Sequence, residues 1–116
     1  MSLDVVRLVS GDDKPFIVLT LRDDISGQPY DLTPVGTEVF VQFRAAGSAD
    51  TPTTIACQKI GSGADGRVEF NFTGGVLDVP PGMYEGEIVI KEAGFTQRVY
   101  DTLRFRVREN FGELPN

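Results

Sequence analysis

The chain has 116 residues, 41% of them hydrophobic and 24% charged, which fits one domain with a single core and needs no second. Its formal charge of −6 argues against a nucleic-acid or anionic-membrane surface, because both reward clustered Lys and Arg; no apolar run of about 18 residues supports a membrane span, and no secretion signal is evident. With no histidine and one cysteine, Cys57, it lacks the usual general base near neutral pH, the commonest metal ligand and any internal disulfide.

Thirteen glycines and seven prolines indicate many turns, and favour short strands over long helices. Val5 to Val9 is an apolar run ended by Ser10-Gly11-Asp12-Asp13, a first strand expected at a sheet edge. Pro15 opens a second, with Ile17, Leu19 and Leu21 inward and Phe16, Val18 and Thr20 outward. The segment from Asp23 to Pro29 is turn-rich, and Asp31-Leu32-Thr33-Pro34 is a compact turn with Leu32 dipping into the core. Glu38 to Ala45 forms a third strand, with Val39, Val41 and Phe43 on one face and Phe40, Gln42 and Arg44 on the other. Thr53 to Ile60, rich in β-branched residues, reads as one fourth strand with Ile55 and Cys57 sharing a face. After the flexible turn Gly61 to Gly66, Arg67 to Thr73 alternates cleanly, placing Val68, Phe70 and Phe72 inward.

The rest of the chain is arranged around Val76 to Ile90. A Pro80-Pro81-Gly82 turn leads into a strand whose residues Tyr84, Gly86, Ile88 and Ile90 share one face, with Met83, Glu85, Glu87, Val89 and Lys91 on the other. A tyrosine entering a strand just after a Gly-containing turn matches the tyrosine corner of immunoglobulin-like sandwiches, so Tyr84 and Gly82 are structural residues and the Tyr84 hydroxyl is expected to bond backbone between Leu77 and Pro80. Glu92-Ala93-Gly94-Phe95 closes a hairpin onto a long last strand, Thr96 to Arg108, with Leu103, Phe105 and Val107 inward. That parity carries Asp101 inward as well, and since an unpaired buried carboxylate costs several kcal/mol, a bulge or sheet switch is expected there. About seven strands without a helix make an all-β, immunoglobulin-like antiparallel β-sandwich: one domain over residues 1–116, with a core from Val5 to Arg108 and a short C-terminal tail.

No catalytic constellation is present, and the expectation is a protein that is not an enzyme, with no cofactor, metal or small-molecule substrate. Cys57 reads as a buried small hydrophobe rather than a reactive thiol. Asp12-Asp13, Asp23-Asp24 and Asp65 fall in loops without a D-x-D-x-D-G pattern, and read as solvated turn acids rather than a calcium site. Gly61 to Gly66 lacks the Lys-Ser/Thr and following helix of a phosphate loop. Four of the eleven basic residues, Arg98, Arg104, Arg106 and Arg108, lie on the last strand, where pairing with Glu85 and Glu87 on its neighbour explains them better than an anion ladder. Phe40, Val89 and Tyr100 share the outward parity, giving an apolar centre bordered by charge. With Arg104, Arg106 and the tail residue Phe111 they form the candidate interface, for other proteins or for a second copy of the chain.

Several segments in order resemble the small β-sandwich modules at the start of tailed-phage baseplate proteins, of the baseplate upper protein N-terminal type. They are Gly11-Asp12 ahead of Pro15 and its strand, Asp23-Asp24 with Gly27-Gln28-Pro29 and Asp31-Leu32-Thr33, Val39 to Arg44, Gly66-Arg67-Val68-Glu69-Phe70, and Pro81-Gly82-Met83-Tyr84-Glu85-Gly86-Glu87. The resemblance implies a noncatalytic building block of a phage or prophage tail, made in the bacterial cytoplasm, resident in the virion tail and held by contacts with other tail or baseplate proteins. It carries over no catalytic residue. A surface-adhesion or carbohydrate-binding module is the competing reading; it calls for exposed aromatics beside polar loops, and the chain has no tryptophan and offers only Tyr30 and Tyr100.

Overall fold

A computed structural model describes residues 5–23 and 25–112, and places nine strands and no helix among them. The strands are β1 (Val6–Val9), β2 (Ile17–Thr20), β3 (Glu38–Ala45), β4 (Thr53–Ala56), β5 (Gln58–Lys59), β6 (Arg67–Phe70), β7 (Gly82–Glu92), β8 (Phe95–Arg98) and β9 (Leu103–Arg108). They form two sheets. The larger has six strands in the order β1-β9-β7-β3-β4, with β8 also on β7; the smaller has the order β2-β6-β5. Each strand of alternating sequence turns its apolar set toward the opposite sheet, so the fold is the expected β-sandwich.

The inward sets follow the period-two reading closely. Val39, Val41 and Phe43, then Val68, Phe70 and Phe72, then Leu103, Phe105 and Val107 are all buried, as are Tyr84, Ile88 and Ile90 on β7. Leu32 and Leu77 reach the same core from turns and are fully buried. Phe72 couples the sheets: its ring meets Phe70 at 5.5 Å, Phe43 at 6.1 Å and Phe105 at 6.0 Å, each edge to face. Val18, on the outward side of β2, and Phe16, just before that strand, are exposed.

Three features depart from the sequence reading. The single strand expected over Thr53 to Ile60 is two, because the chain leaves the larger sheet after Ala56 and joins the smaller one at Gln58. Cys57 sits at the crossing, where its N–H donates to the Val39 carbonyl at 2.9 Å while its side chain still packs against the core. The long last strand is also two. β8 and β9 pair the same side of β7, but Val89 faces Arg98 whereas Gly86 faces Leu103, so three steps along β7 match five along the facing chain. The interruption at Val99 to Thr102 is the bulge expected near Asp101, and it leaves that residue half-buried. An even slip preserves parity, which is why Arg98 and Arg104 both face outward. These two breaks turn seven expected strands into nine. Finally, β1 runs parallel to β9, Val6 facing Phe105 and Leu8 facing Val107, so the sandwich is not wholly antiparallel.

Candidate functional site

The end of the sandwich where β7 begins is held by three hydrogen bonds to the carbonyls of one short segment. The Tyr84 hydroxyl donates to the Pro80 carbonyl at 2.6 Å, the Ser10 hydroxyl to that of Val79 at 2.8 Å, and the Gly11 N–H to that of Leu77 at 2.7 Å. Gly82, with φ at 151°, starts β7 in a backbone conformation that L side chains rarely adopt. Asn110 closes the arrangement by donating to the Ser10 carbonyl at 2.9 Å, which fixes the chain just beyond β9 to the turn after β1. The turn from Leu77 to Gly82 thus sets how β1, β7 and β9 lie beside one another.

Those strands, with β3, β4 and β8, present one broad outer face. By register and exposure, seven of the eleven basic residues project from it: Arg7, Arg44, Lys91, Arg98, Arg104, Arg106 and Arg108. Three of the fourteen acids among the described residues, Glu38, Glu85 and Glu87, do so by register, leaving the face at a formal +4 against −7 for the other described residues, four basic residues and eleven acids. The net negative charge is a difference between two unlike surfaces rather than a uniform property.

The acids on this face are taken up away from β9. Glu85 accepts from Nε of Arg44 on β3 at 3.1 Å, and Glu87 accepts from Nε of Arg98 on β8 at 2.7 Å. Both pairs are well exposed, worth about 0–1 kcal/mol each. The pairing expected between β7 and the last strand therefore holds for Arg98, whereas Arg104, which faces Glu85 in the register, loses it to Arg44. Arg106 faces Met83 on one side and Arg7 on the other. Among the described residues neither Arg7, Arg104 nor Arg106 makes an ion pair. The Arg108 guanidinium lies 5.3 Å from the Phe111 ring centroid, and Phe111 is 98% exposed. Open hollows on either side of Arg106 and Arg108 are bounded by Arg7 and Val9, and by Met83 and Glu109.

The apolar centre expected from Phe40, Val89 and Tyr100 does not form. Val89 is buried, 7% exposed, because Phe40 and Arg98 face it from the neighbouring strands and cover it. Phe40 is half-buried on β3, and Tyr100 is exposed in the break between β8 and β9, on the other side of β7. Arg104 and Arg106 lie on β9, whose Arg108 meets Phe111, and two residues outside the expected interface, Arg7 and Met83, flank Arg106. The interruption of the apolar run Val5 to Val9 by Arg7 was the available signal; its position beside Arg106 depends on a parallel pairing that no local pattern announces. The remaining tail, from Glu113, lies outside the described residues, as does Asp24.

Asp23 and Asp31 serve their own turns. The Asp23 carboxylate accepts the N–H groups of Ser26 and Ile25, which hold its carboxyl below the ordinary value, and Asp31 is held down by the Thr33 hydroxyl and N–H. Among the described residues no three of Asp, Glu, Cys or His come together as a metal site. Tyr30 is half-buried, with its hydroxyl accepting from Gln97 Nε2 at 2.9 Å.

No family model matches the sequence, and no curated protein matches it. Among solved structures, the fold is similar to the N-terminal domain of phage TP901-1 ORF48, with a TM-score of 0.61 at 16% sequence identity, over 90% of this chain and 84% of that one. The chain has the fold of that domain. The resemblance drawn from the sequence was to modules at the start of phage proteins, and the structural likeness is to such a module.

Proposed function

We propose that this chain is a noncatalytic assembly module of a phage or prophage tail or baseplate, held in place by contacts with other tail proteins through the outer face of its larger sheet. The observation that carries the reading is the fold shared with the phage TP901-1 ORF48 N-terminal domain along nine-tenths of the chain. Two features agree with it. The chain has no histidine, and the one cysteine is a thiol pushed up to about 12 by burial, which leaves little for nucleophilic chemistry. The surface is divided between a cationic face and an acidic remainder, a distribution that orients partners on encounter. The adhesion reading is weaker, since the chain has no tryptophan and Tyr30 is half-buried, with its hydroxyl engaged by Gln97.

Co-expression with the structural proteins encoded beside its own gene, followed by size-exclusion chromatography with light scattering, tests the proposal. A complex of defined stoichiometry with a tail protein supports it. A chain that stays alone in every mixture and is missing from purified particles by mass spectrometry removes it.

A further inference from the structure

We infer that the β1–β9 half of the outer face binds an extended acidic segment of a partner protein, whose carboxylates sit on Arg7, Arg104, Arg106 and Arg108. The inference rests on the assembly reading above and names the chemistry of the partner.

Arg108 donates to the Glu109 carbonyl at 2.8 Å, but the fold gains nothing comparable from Arg7, Arg104 and Arg106. Arg7 and Arg106 face each other directly across the parallel pair, and like charges placed so destabilise a sheet. The nearest acid by register, Glu85 opposite Arg104, is already engaged with Arg44 at 3.1 Å. Four guanidinium groups are thus collected on two adjacent strands of a chain whose other surface is strongly acidic, and among the described residues no carboxylate neutralises Arg7, Arg104 or Arg106. A charge array that costs stability is retained where something outside the fold makes use of it.

Spacing defines what that is. Arg104, Arg106 and Arg108 occupy alternate positions of one strand, and so repeat about every 6.6–6.8 Å, the interval at which alternate side chains of any extended segment recur. Carboxylates on alternate residues match this row, and a guanidinium takes a carboxylate through two parallel hydrogen bonds. Half-exposed Val5 and Met83, at 41% and 42%, border the array and suit the aliphatic stems of such a segment. A nucleic acid fits less well, because the −7 of the other described residues repels it and none of the four arginines stands beside an exposed ring except Arg108.

The test titrates the whole chain into a fluorescently labelled peptide of alternating glutamate and threonine, read by anisotropy at low and high salt. The comparators are the same peptide with glutamine for glutamate and a single-stranded oligothymidylate of equal charge. The glutamate peptide should bind tightest and weaken with salt, and Arg7→Gln and Arg106→Gln should each weaken it by about tenfold, the loss typical of a charge-assisted contact. The same two variants should unfold at a higher temperature than the parent at low salt, because each removes the facing repulsion; Arg67→Gln, on the smaller sheet, should leave peptide binding unchanged. The inference is overturned if the glutamine peptide or the oligothymidylate binds as well, if the two variants bind like the parent, or if both melt earlier, which would give the arginines a structural role. Self-association of the parent that disappears in Arg106→Gln, without peptide binding, would assign the face to a second copy instead. Because the peptide titration uses no tail protein, its failure is separate from failure of the assembly reading.

Discussion

The ring of Phe43 stacks on that of Tyr84, their planes 3° apart and their centroids 5.1 Å apart, although Phe43 faces Gly86 rather than Tyr84 in the β3–β7 register. The missing side chain at Gly86 makes the diagonal contact available. Phe105, which faces Tyr84 from β9, closes over the same space and meets Phe43 edge to face at 5.3 Å. The tyrosine whose hydroxyl holds the Pro80 turn is therefore also stacked on an aromatic ring of β3, which Phe105 of β9 meets in turn.

Gly86→Ala tests that packing. A Cβ there would lie 2.9 Å from Val41 Cγ1 and 3.0 Å from Phe105 Cε2, both on side chains with 0% exposure that have nowhere to move. Overpacking of this kind costs about 1–3 kcal/mol, and chemical denaturation should show a lower midpoint with an unchanged slope.

Tyr84→Phe removes the hydrogen bond to Pro80 and keeps the ring in its stack. The expected loss is about 1 kcal/mol with the fold retained. A variant as stable as the parent would mean that the Ser10 and Gly11 donors hold the turn unaided.

Cys57 links stability to alkaline pH. Burial pushes its thiol up to about 12, so in the folded chain it stays protonated where an unfolded thiol, with a pKa of about 8.5, ionises. Across that window the unfolded state binds fewer protons than the folded one, and stability from this group falls as pH rises; below the window it is fully present. The slope in urea-unfolding free energy above pH ~8.5 should be shallower in Cys57→Ala than in the parent. Iodoacetamide at neutral pH should label the native thiol slowly and the denatured one quickly; equal rates would contradict the burial.

Thr37 is 4% exposed, and its hydroxyl has no hydrogen-bond partner among the described residues, although its N–H donates to the Pro34 carbonyl at 3.1 Å. Thr37→Val removes an orphaned polar atom and retains the β-branched shape. Relief of an unsatisfied buried group is worth about 1 kcal/mol or more, and the melting temperature should rise.

Which residues face inward was legible along most of the chain, because alternation with period two is written into each short segment and survives whatever the strand pairs with. Val68-Glu69-Phe70 and Leu103-Arg104-Phe105 carry their orientation in themselves. The corner at Tyr84 was legible for the same reason, since the acceptor at Pro80 is only four residues away. Which strands lie side by side was not, because pairing is a property of the whole chain. Only the tertiary structure set β1 parallel to β9 and so put Arg7 against Arg106, gave Glu85 to Arg44 instead of Arg104, and covered Val89 with Phe40 and Arg98. It also divided Thr53–Ile60 between two sheets and slipped the last strand by two residues. Parity survives an even slip and says nothing of neighbours, so the sequence determined the inside of this protein, whereas the charge pattern of its outer face arose from long-range pairing of strands far apart in the chain.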